Sequence, residues 1–281
     1  MKRKRPLTDH LSTNIITPAT KRATLKKSSG KQKTMTQLHF CLETSILVTC
    51  RTCELSYTRG APEDESLHKA HCARVQRGME WGRDEEKLKH DFVEEVAEEV
   101  TLRSGETGRI IAINATATGK VGHKLTTFLN TINVALSAPS MTEEALQASK
   151  AYLFLLPTAS TSREKIIGCA VAQRITSAME VVKSESLGEG KSTTALVHVD
   201  GSLYCKPERL PTPMGIPRLF VSSSHRRKGV AQAMLDAAAR SFIHGCKVDP
   251  TKGEVAFSQP TSLGRSVMEK WGEGNIRVFE E

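Results

Sequence analysis

The spacing of apolar residues along the second half of the chain alternates between short runs and a helical repeat. Apolar runs at 109–114, 151–156 and 165–172 are bounded by turn residues such as Pro157, which is typical of buried strands. Between the first two runs, residues 121–136 place apolar side chains at helical intervals. The pattern therefore predicts an α/β domain in which the second and third runs form a strand pair.

An acidic stretch connects this domain to the residues before it. Within 84–100, Leu88, Phe92, Val93 and Val96 recur with a period of about 3.6 residues. We therefore predict an amphipathic helix over this connector, with its acidic residues facing solvent.

The Ser/Gly/Glu-rich stretch 184–194 predicts a flexible insertion. It contains Gly188-Glu-Gly-Lys-Ser192, which is similar to part of a phosphate-binding loop. Such a loop needs a further glycine five positions before the Gly-Lys pair, where Glu185 stands, and a buried strand just before it. The sequence therefore argues against a nucleotide site here.

Charge separates the start of the chain from the rest. Residues 1–35 carry ten Lys and Arg against one acid, Asp9, so their net charge of +9 equals that of all 281 residues. This composition predicts a disordered basic tail over 1–45, suited to nuclear import or to non-specific attraction of nucleic acid; the alternative is a tail that only aids solubility. No secretory signal or membrane-spanning run is visible, so we expect a soluble nuclear protein without a membrane partner.

A Cys/His-rich module is predicted over residues 46–85. Cys50 and Cys53 form a C-x2-C knuckle, and His68 and Cys72 form an H-x3-C pair that shares one helical face. His71 competes with Cys72 for the fourth ligand position, and the i, i+4 spacing favours Cys72. The spacing predicts a structural zinc finger, because four protein ligands leave no open coordination position.

The predicted finger helix begins with the acidic segment Pro62-Glu-Asp-Glu65. A helix that reads bases needs Arg, Asn or Gln at its start, and acids there repel phosphate. We therefore expect a finger that scaffolds or docks protein rather than one that reads DNA.

The segment 218–240 joins an apolar strand, a basic turn and an Ala/Leu/Met-rich helix. Its residues 226–231, Arg-Arg-Lys-Gly-Val-Ala, fit the pattern R/Q-x-x-G-x-G/A. Successive N–H groups in such a turn converge on an anion, and the helix N-terminus adds partial positive charge. Gly229 permits a close approach of the backbone to a pyrophosphate. The segment predicts a binding site for acetyl-coenzyme A (acetyl-CoA).

The sequence resembles the establishment-of-sister-chromatid-cohesion acetyltransferases, a branch of the GCN5-related N-acetyltransferase superfamily. The resemblance rests on the Cys50-x2-Cys53 knuckle with Tyr57 and His68, on residues 218–236, and on Ala256-Phe-Ser-Gln-Pro-Thr261. It implies a mixed sheet flanked by helices over residues 86–281, following the finger and the tail.

The resemblance also implies the function and the coenzyme site. It implies an enzyme that moves an acetyl group from acetyl-CoA to lysines on the SMC ATPase head of cohesin during replication. The implied acetyl-CoA contacts are Leu219, Phe220, Val221, Arg227, Lys228, Gly229, Val230, Ala231, Gln232, Thr261 and Ser262.

The catalytic residue that the resemblance implies is an acid late in the motif helix, Asp236. Its position two to three turns into that helix also makes it the best candidate base from the sequence. The chain departs from the family pattern at Pro217, where animal members carry serine, and at Gln259, where they carry aspartate. It also departs at Cys72, since the last finger ligand is usually histidine.

Residues 33–40 resemble the degenerate motif with which the family docks on the replication sliding clamp. They lack the paired aromatic residues of a full clamp-binding motif. Two other functions are compatible with the same motifs. One is a chromatin or replication adaptor with an inert acetyltransferase fold, and the other is an acetyltransferase that acts on histones or small amines.

Overall fold

The computed structural model describes residues 46–82, 93–159, 163–182, 197–200 and 203–280. The predicted tail, the clamp-like motif and the predicted insertion at 184–194 lie outside these residues.

The described residues form thirteen strands and five α-helices, numbered here in chain order. The strands are β1 Leu47–Thr49, β2 Ser56–Thr58, β3 Met79–Gly82, β4 Val93–Thr101, β5 Thr107–Asn114, β6 Ser149–Pro157, β7 Arg163–Arg174, β8 Ser177–Val181, β9 Val197–Asp200, β10 Leu203–Pro211, β11 Met214–Val221, β12 Val255–Phe257 and β13 Arg277–Val278. The helices are α1 Pro62–Arg77, α2 Gly119–Ala135, α3 Glu143–Gln147, α4 Val230–Ser241 and α5 Ser262–Trp271.

Eleven of the described strands make one mixed sheet. Its order is β4-β5-β6-β7-β11-β12-β13-β8-β10-β9, and β3 pairs additionally with β7. The pairs β11–β12 and β12–β13 are parallel, and the other pairs are antiparallel. The predicted strands at 109–114, 151–156 and 165–172 and the predicted helix at 121–136 are present, and the predicted α/β class is confirmed.

Helices cover both faces of this sheet. Ile110 and Ala112 of β5 point into one apolar cluster, which includes Met234 of α4 and Met268 of α5. The alternate residues of β5 join α2 in a second cluster on the opposite face. Because successive strand residues point to opposite faces, a fully apolar strand such as β5 is buried on both sides.

The predicted connector helix is wrong over its described part. Val93–Thr101 forms β4, paired with β5 through two register shifts, each of which inserts one extra residue into β4. As a result Val96, Ala97 and Val100 all pack against the same cluster despite spacings of one and three residues. Two bulges in a strand therefore imitate the apolar spacing of a helix. Residues 83–92 lie outside the described part of the chain.

The Cys/His-rich module and the sheet belong to one compact unit, Ser45–Glu281. The module contains the β1–β2 hairpin and α1, and Arg74 of α1 donates from Nε to Thr131 Oγ1 of α2 at 2.9 Å. Gly78 then turns the chain into β3 with φ +80°, where a Cβ would lie 2.1 Å from the carbonyl oxygen of Ile166. Only glycine permits this approach, which joins the finger helix directly to the sheet.

No helix in the part of the chain that the structure describes is both long and apolar enough to cross a membrane.

Candidate functional site

Four predicted metal ligands converge between the β1–β2 hairpin and the middle of α1. The ligand atoms of Cys50, Cys53, His68 and Cys72 all lie within 4.8 Å of one another. Cys50 Sγ and Cys72 Sγ are 3.9 Å apart. Two thiolates bound at about 2.3 Å to a tetrahedral zinc lie roughly 3.8 Å apart, so this spacing fits the metal.

The histidine of the cluster is oriented for binding. The His68 ring stacks on Tyr57 with a centroid separation of 4.0 Å and an interplanar angle of 4°. Its Nε2 atom is buried and has no hydrogen-bond partner among the described residues. A metal ion would satisfy this atom, whose burial without a partner is otherwise unfavourable. His71 lies outside the four-ligand group, although its ring is buried as well.

The thiols of the cluster differ in their electrostatic surroundings. Backbone N–H groups of Cys53 and Thr52 lower the pKa of Cys50 to about 6, which favours the thiolate. Burial raises the pKa of Cys72 to about 12. A bound zinc ion deprotonates a coordinating thiol outright, so the Cys72 thiol becomes a ligand only when the metal supplies the positive charge.

The acids at the start of α1 hold the finger together. Asp64 Oδ2 accepts from the Thr58 amide at 3.1 Å, and Glu65 Oε1 accepts from the Gly60 amide at 2.8 Å. These hydrogen bonds tie the hairpin to the first turn of the helix. They lower the pKa of Asp64 and give the acidic segment a structural role.

Strands β11 and β12 separate at a bulge. They pair in parallel only over Met214–Ile216, and the register of β11 against β7 shifts by one residue between Gly215 and Arg218. Beyond this point β11 continues along β7 alone, with Leu219–Val221 still in the strand. The edge of β11 that faced β12 is therefore available to bind an extended ligand through its backbone.

A cavity of about 540 Å³ opens where the two strands part. Its lining includes Pro217, Leu219 and Gln259 from the strand ends and Thr261 from the start of α5. Thr261 caps α5 by accepting from the Gly264 amide at 3.2 Å. The partial positive charge of the N-terminus of α5 therefore lies at this cavity.

The basic turn from β11 into α4 has a constrained backbone. Arg227 and Gly229 both have positive φ, +61° and +96°, and α4 begins at the next residue, Val230. A Cβ on Gly229 would meet only Arg103, at 3.9 Å, so its backbone angle rather than crowding is what favours glycine. The other predicted acetyl-CoA contacts at the start of α4 are Lys228, Ala231 and Gln232.

Sequence reasoning missed a second basic element beside the turn. Arg103, from the hairpin between β4 and β5, donates its amide to the Lys228 carbonyl at 3.0 Å, and its side chain lies against Gly229. Lys228 Nζ pairs with Glu106 of the same hairpin at 2.8 Å. The hairpin therefore places a guanidinium beside the basic turn, and only the folded sheet brings Arg103 there.

Asp236 faces a neighbouring helix. Its Oδ1 accepts from Trp271 Nε1 of α5 at 2.7 Å, and Asp236 is not among the residues that line the cavity. The carboxylate is half-buried between α4 and α5. Its predicted role as a base stays a prediction.

Two cysteines outside the finger, Cys169 and Cys246, have different environments. Cys169 is fully buried, and burial raises the pKa of its thiol to about 12, so it is a poor nucleophile. Cys246 is exposed. Neither thiol lines the cavity.

Comparison with protein families gives two matches. Residues 210–279 match a family described as "ESCO1/2 acetyl-transferase". Residues 36–74 match a family described as "zinc-finger of acetyl-transferase ESCO". The first match covers the basic turn 226–231, and the second covers the Cys/His cluster.

Curated relatives extend the similarity along the chain. N-acetyltransferase eso1 of Schizosaccharomyces pombe is 30% identical over 259 residues, which cover 91% of this chain and 27% of the relative. N-acetyltransferase ECO1 of Yarrowia lipolytica is 27% identical over 269 residues, which cover 95% of this chain and 82% of the relative. The chain thus spans about a quarter of the first relative and most of the second.

The solved structure of the xEco2 acetyltransferase domain bound to a CoA conjugate has the same fold. It matches with a TM-score of 0.52 and 23% identity, covering 67% of this chain and 98% of that one. At this identity the likeness supports the fold alone. It confirms the predicted acetyltransferase sheet and helices.

Proposed function

We propose that this chain is an N-acetyltransferase of the ESCO family, which its residues 210–279 and 36–74 match, and that it transfers the acetyl group of acetyl-CoA to lysines on the SMC ATPase head of cohesin. One observation carries the coenzyme assignment. The strands β11 and β12 part at a bulge, beside a basic turn with a glycine that opens α4. Acetyl-CoA supplies an activated thioester and a pyrophosphate, which suit the exposed strand edge and the turn respectively.

The residues of the turn bind the phosphates. The N–H groups from Lys228 to Gln232 face the anion at the N-terminus of α4, and the guanidiniums of Arg227 and Arg103 add charge. Leu219, Phe220 and Val221 hold the pantetheine arm and the thioester carbonyl by backbone hydrogen bonds. Thr261 and Ser262 flank the arm from the start of α5.

The substrate amine attacks the thioester carbonyl, forming the amide N–C bond as the C–S bond breaks and the coenzyme thiol leaves. Lysine attacks only as the free amine, and at a pKa near ~10.4 well under a hundredth of it is neutral at pH 7. A base must therefore remove a proton. We assign this role to Asp236, the acidic residue of α4. Its carboxylate is held in place by a hydrogen bond from Trp271.

The finger contributes structure rather than chemistry. Cys50, Cys53, His68 and Cys72 would hold one zinc ion and fill its tetrahedral sphere. No ligand position remains for a reacting water. A zinc ion held by these four residues would stabilise the hairpin and α1 against the sheet.

The proposed substrate is tested by competition. The purified chain is incubated with labelled acetyl-CoA and equimolar cohesin SMC heads and histones, with Gly229→Asp as the inactive reference. We expect label on lysines of the SMC head. Label mainly on histones supports a histone acetyltransferase instead, and coenzyme binding without transfer to either protein supports an inert adaptor.

We further propose that the basic tail directs the chain to the nucleus and to chromatin, and that residues 33–40 dock on the sliding clamp. Removing residues 1–35 is expected to weaken nuclear retention and leave turnover of isolated substrate unchanged. Clamp binding is measured separately with a peptide of residues 31–42. No binding of this peptide at millimolar concentration contradicts the docking proposal.

A further inference from the structure

The finger helix α1 meets the turn between β11 and α4, residues 222–229, at two serine hydroxyls. We refer to this segment as the coenzyme turn. Ser224 Oγ donates to the main-chain carbonyl of Gln76 at 2.6 Å, and Ser223 Oγ makes a longer contact of 3.5 Å with the carbonyl of Val75. Val75 and Gln76 belong to the last turn of α1, where carbonyls lack partners within the helix. The start of the coenzyme turn therefore supplies partners for the end of the finger helix.

The topology of β7 fixes this contact. β3, which follows the finger helix, pairs with residues 163–166 of β7, and β11 pairs with residues 168–174 of the same strand. Between these two segments the Ser222 amide donates to the Ile167 carbonyl at 2.8 Å. The finger and the turn therefore lie next to each other on one strand edge.

Hydrogen bonds connect the serines that contact α1 to the next residues of the turn. Both Ser222 Oγ and Ser224 Oγ lie within hydrogen-bond distance of His225 Nδ1, at 2.9 and 3.0 Å. The positive-φ residue Arg227 follows two positions later. A backbone in a sparsely populated conformation persists only where its surroundings hold it. Holding the turn before the coenzyme arrives lowers the entropy cost of binding.

We propose that Ser224 is a positioning residue through which the zinc-loaded finger holds the coenzyme turn in its binding conformation, so that zinc and acetyl-CoA bind cooperatively. This inference rests on the proposed function, because it takes the turn to be the acetyl-CoA site. Ser224 itself touches α1 and His225, and it is not one of the assigned coenzyme contacts.

The first test compares Ser224→Ala with the wild type, both as the full zinc-loaded chain. Loss of one hydrogen bond is expected to weaken acetyl-CoA binding by about two- to tenfold in calorimetry. The kcat at saturating acetyl-CoA is expected to stay unchanged, since the reacting groups are untouched. Ser56→Ala is the matched control, because Ser56 bonds the Thr49 hydroxyl elsewhere in the finger at 2.8 Å. This control is expected to leave acetyl-CoA affinity unchanged.

The second test measures the reciprocal effect. Coupling between two sites acts equally in both directions, so saturating acetyl-CoA is expected to tighten zinc binding at least twofold in competition with a chromophoric chelator. In Ser224→Ala this tightening is expected to disappear.

Three outcomes overturn the proposal. The first is an unchanged acetyl-CoA affinity in Ser224→Ala. The second is a Ser224→Ala protein whose only change is a lower melting temperature. The third is a zinc affinity that acetyl-CoA still raises in Ser224→Ala. A wild-type chain that binds zinc but no acetyl-CoA overturns the proposed function as well, so the two failures are distinguishable.

Discussion

The finger and the coenzyme site are built in opposite ways. All four finger ligands lie between Cys50 and Cys72, and in the described residues 46–77 the buried side chains are those of Cys53, His71 and Val75. The proposed coenzyme site draws on segments from Arg103 to Ser262 and lies on a sheet whose central strands are almost completely buried. On this proposal the finger depends on metal bonds in place of a core, whereas the coenzyme site depends on the fold around it.

The largest expected effect follows from this difference. Cys53→Ser removes a ligand that no apolar core can replace, and structural zinc binding is worth ~10–16 kcal/mol in isolated fingers. We expect zinc content to fall from one ion per chain to near zero and α1 to become susceptible to proteolysis. Metal analysis and limited proteolysis measure both. Cys246→Ser, which removes an exposed thiol, is the control and keeps its zinc.

If Cys53→Ser protein retains one zinc per chain, the cluster is not the metal site. If the sheet unfolds together with the finger, the stability of the coenzyme site is not independent of the metal cluster. Heat unfolding followed by circular dichroism distinguishes a local loss from a global one.

The next effect concerns the chemistry on the sheet side. Asp236→Asn keeps an oxygen that can accept from Trp271 but removes the ability to take a proton. If Asp236 is the base, kcat falls by ~10²–10⁴-fold while acetyl-CoA affinity stays unchanged. Rapid-quench turnover and calorimetry measure the two quantities.

Trp271→Phe is the complementary control for Asp236→Asn, because it removes the hydrogen bond from Trp271 Nε1 to Asp236 and leaves the carboxylate. It is expected to retain most of the turnover. Equal losses in both variants, accompanied by lower melting temperatures, mean that Asp236 only ties α4 to α5. Near-normal turnover of Asp236→Asn removes it from the mechanism.

A smaller effect is expected in the turn. At Gly229 the backbone angle of +96° costs a side-chain residue ~1–3 kcal/mol, and an aspartate also repels phosphate. Gly229→Asp is expected to weaken acetyl-CoA binding about 100-fold and to leave zinc content at one. Gly229→Asn has a similar size, tolerates positive φ and carries no charge, so it is expected to bind more tightly than the aspartate variant. Equal affinity of both variants and the wild type places the coenzyme elsewhere.

The same contrast explains what the sequence could predict. The Cys/His cluster from Cys50 to Cys72 and the basic turn 226–231 could be singled out from the sequence because each is a short contiguous motif whose proposed chemistry depends on local spacing. Strand β4 was mispredicted because its two bulges place Val96, Ala97 and Val100 on one face, and pairing with β5 decides that geometry. Local patterns cannot show such pairing.

The cavity and its neighbours depend even more on topology. The parting of β11 and β12 follows from the bulge of β11 between Gly215 and Arg218, where its register against β7 shifts, and that register is set by strand pairing. Ser224 and Gln76 meet because β3 and β11 share one edge of β7. Arg103 reaches Gly229 because the β4–β5 hairpin lies beside the turn.

The smallest expected effect tests this last, purely topological contribution. Arg103 is exposed, and among the described residues no carboxylate is paired with it, so its guanidinium is free to meet a phosphate at the turn. Because solvent screens exposed charges, Arg103→Ala is expected to raise the acetyl-CoA dissociation constant only about two- to fivefold. The difference should shrink in ~0.5 M salt, where the screening length falls to a few ångströms.

Arg240→Ala, at the far end of α4, is the charge-matched control and should bind like the wild type. A loss of the same size in both variants would mean that net charge matters and position does not. A loss confined to Arg103→Ala and removed by salt would show that the folded hairpin adds a phosphate contact that the contiguous motif lacks.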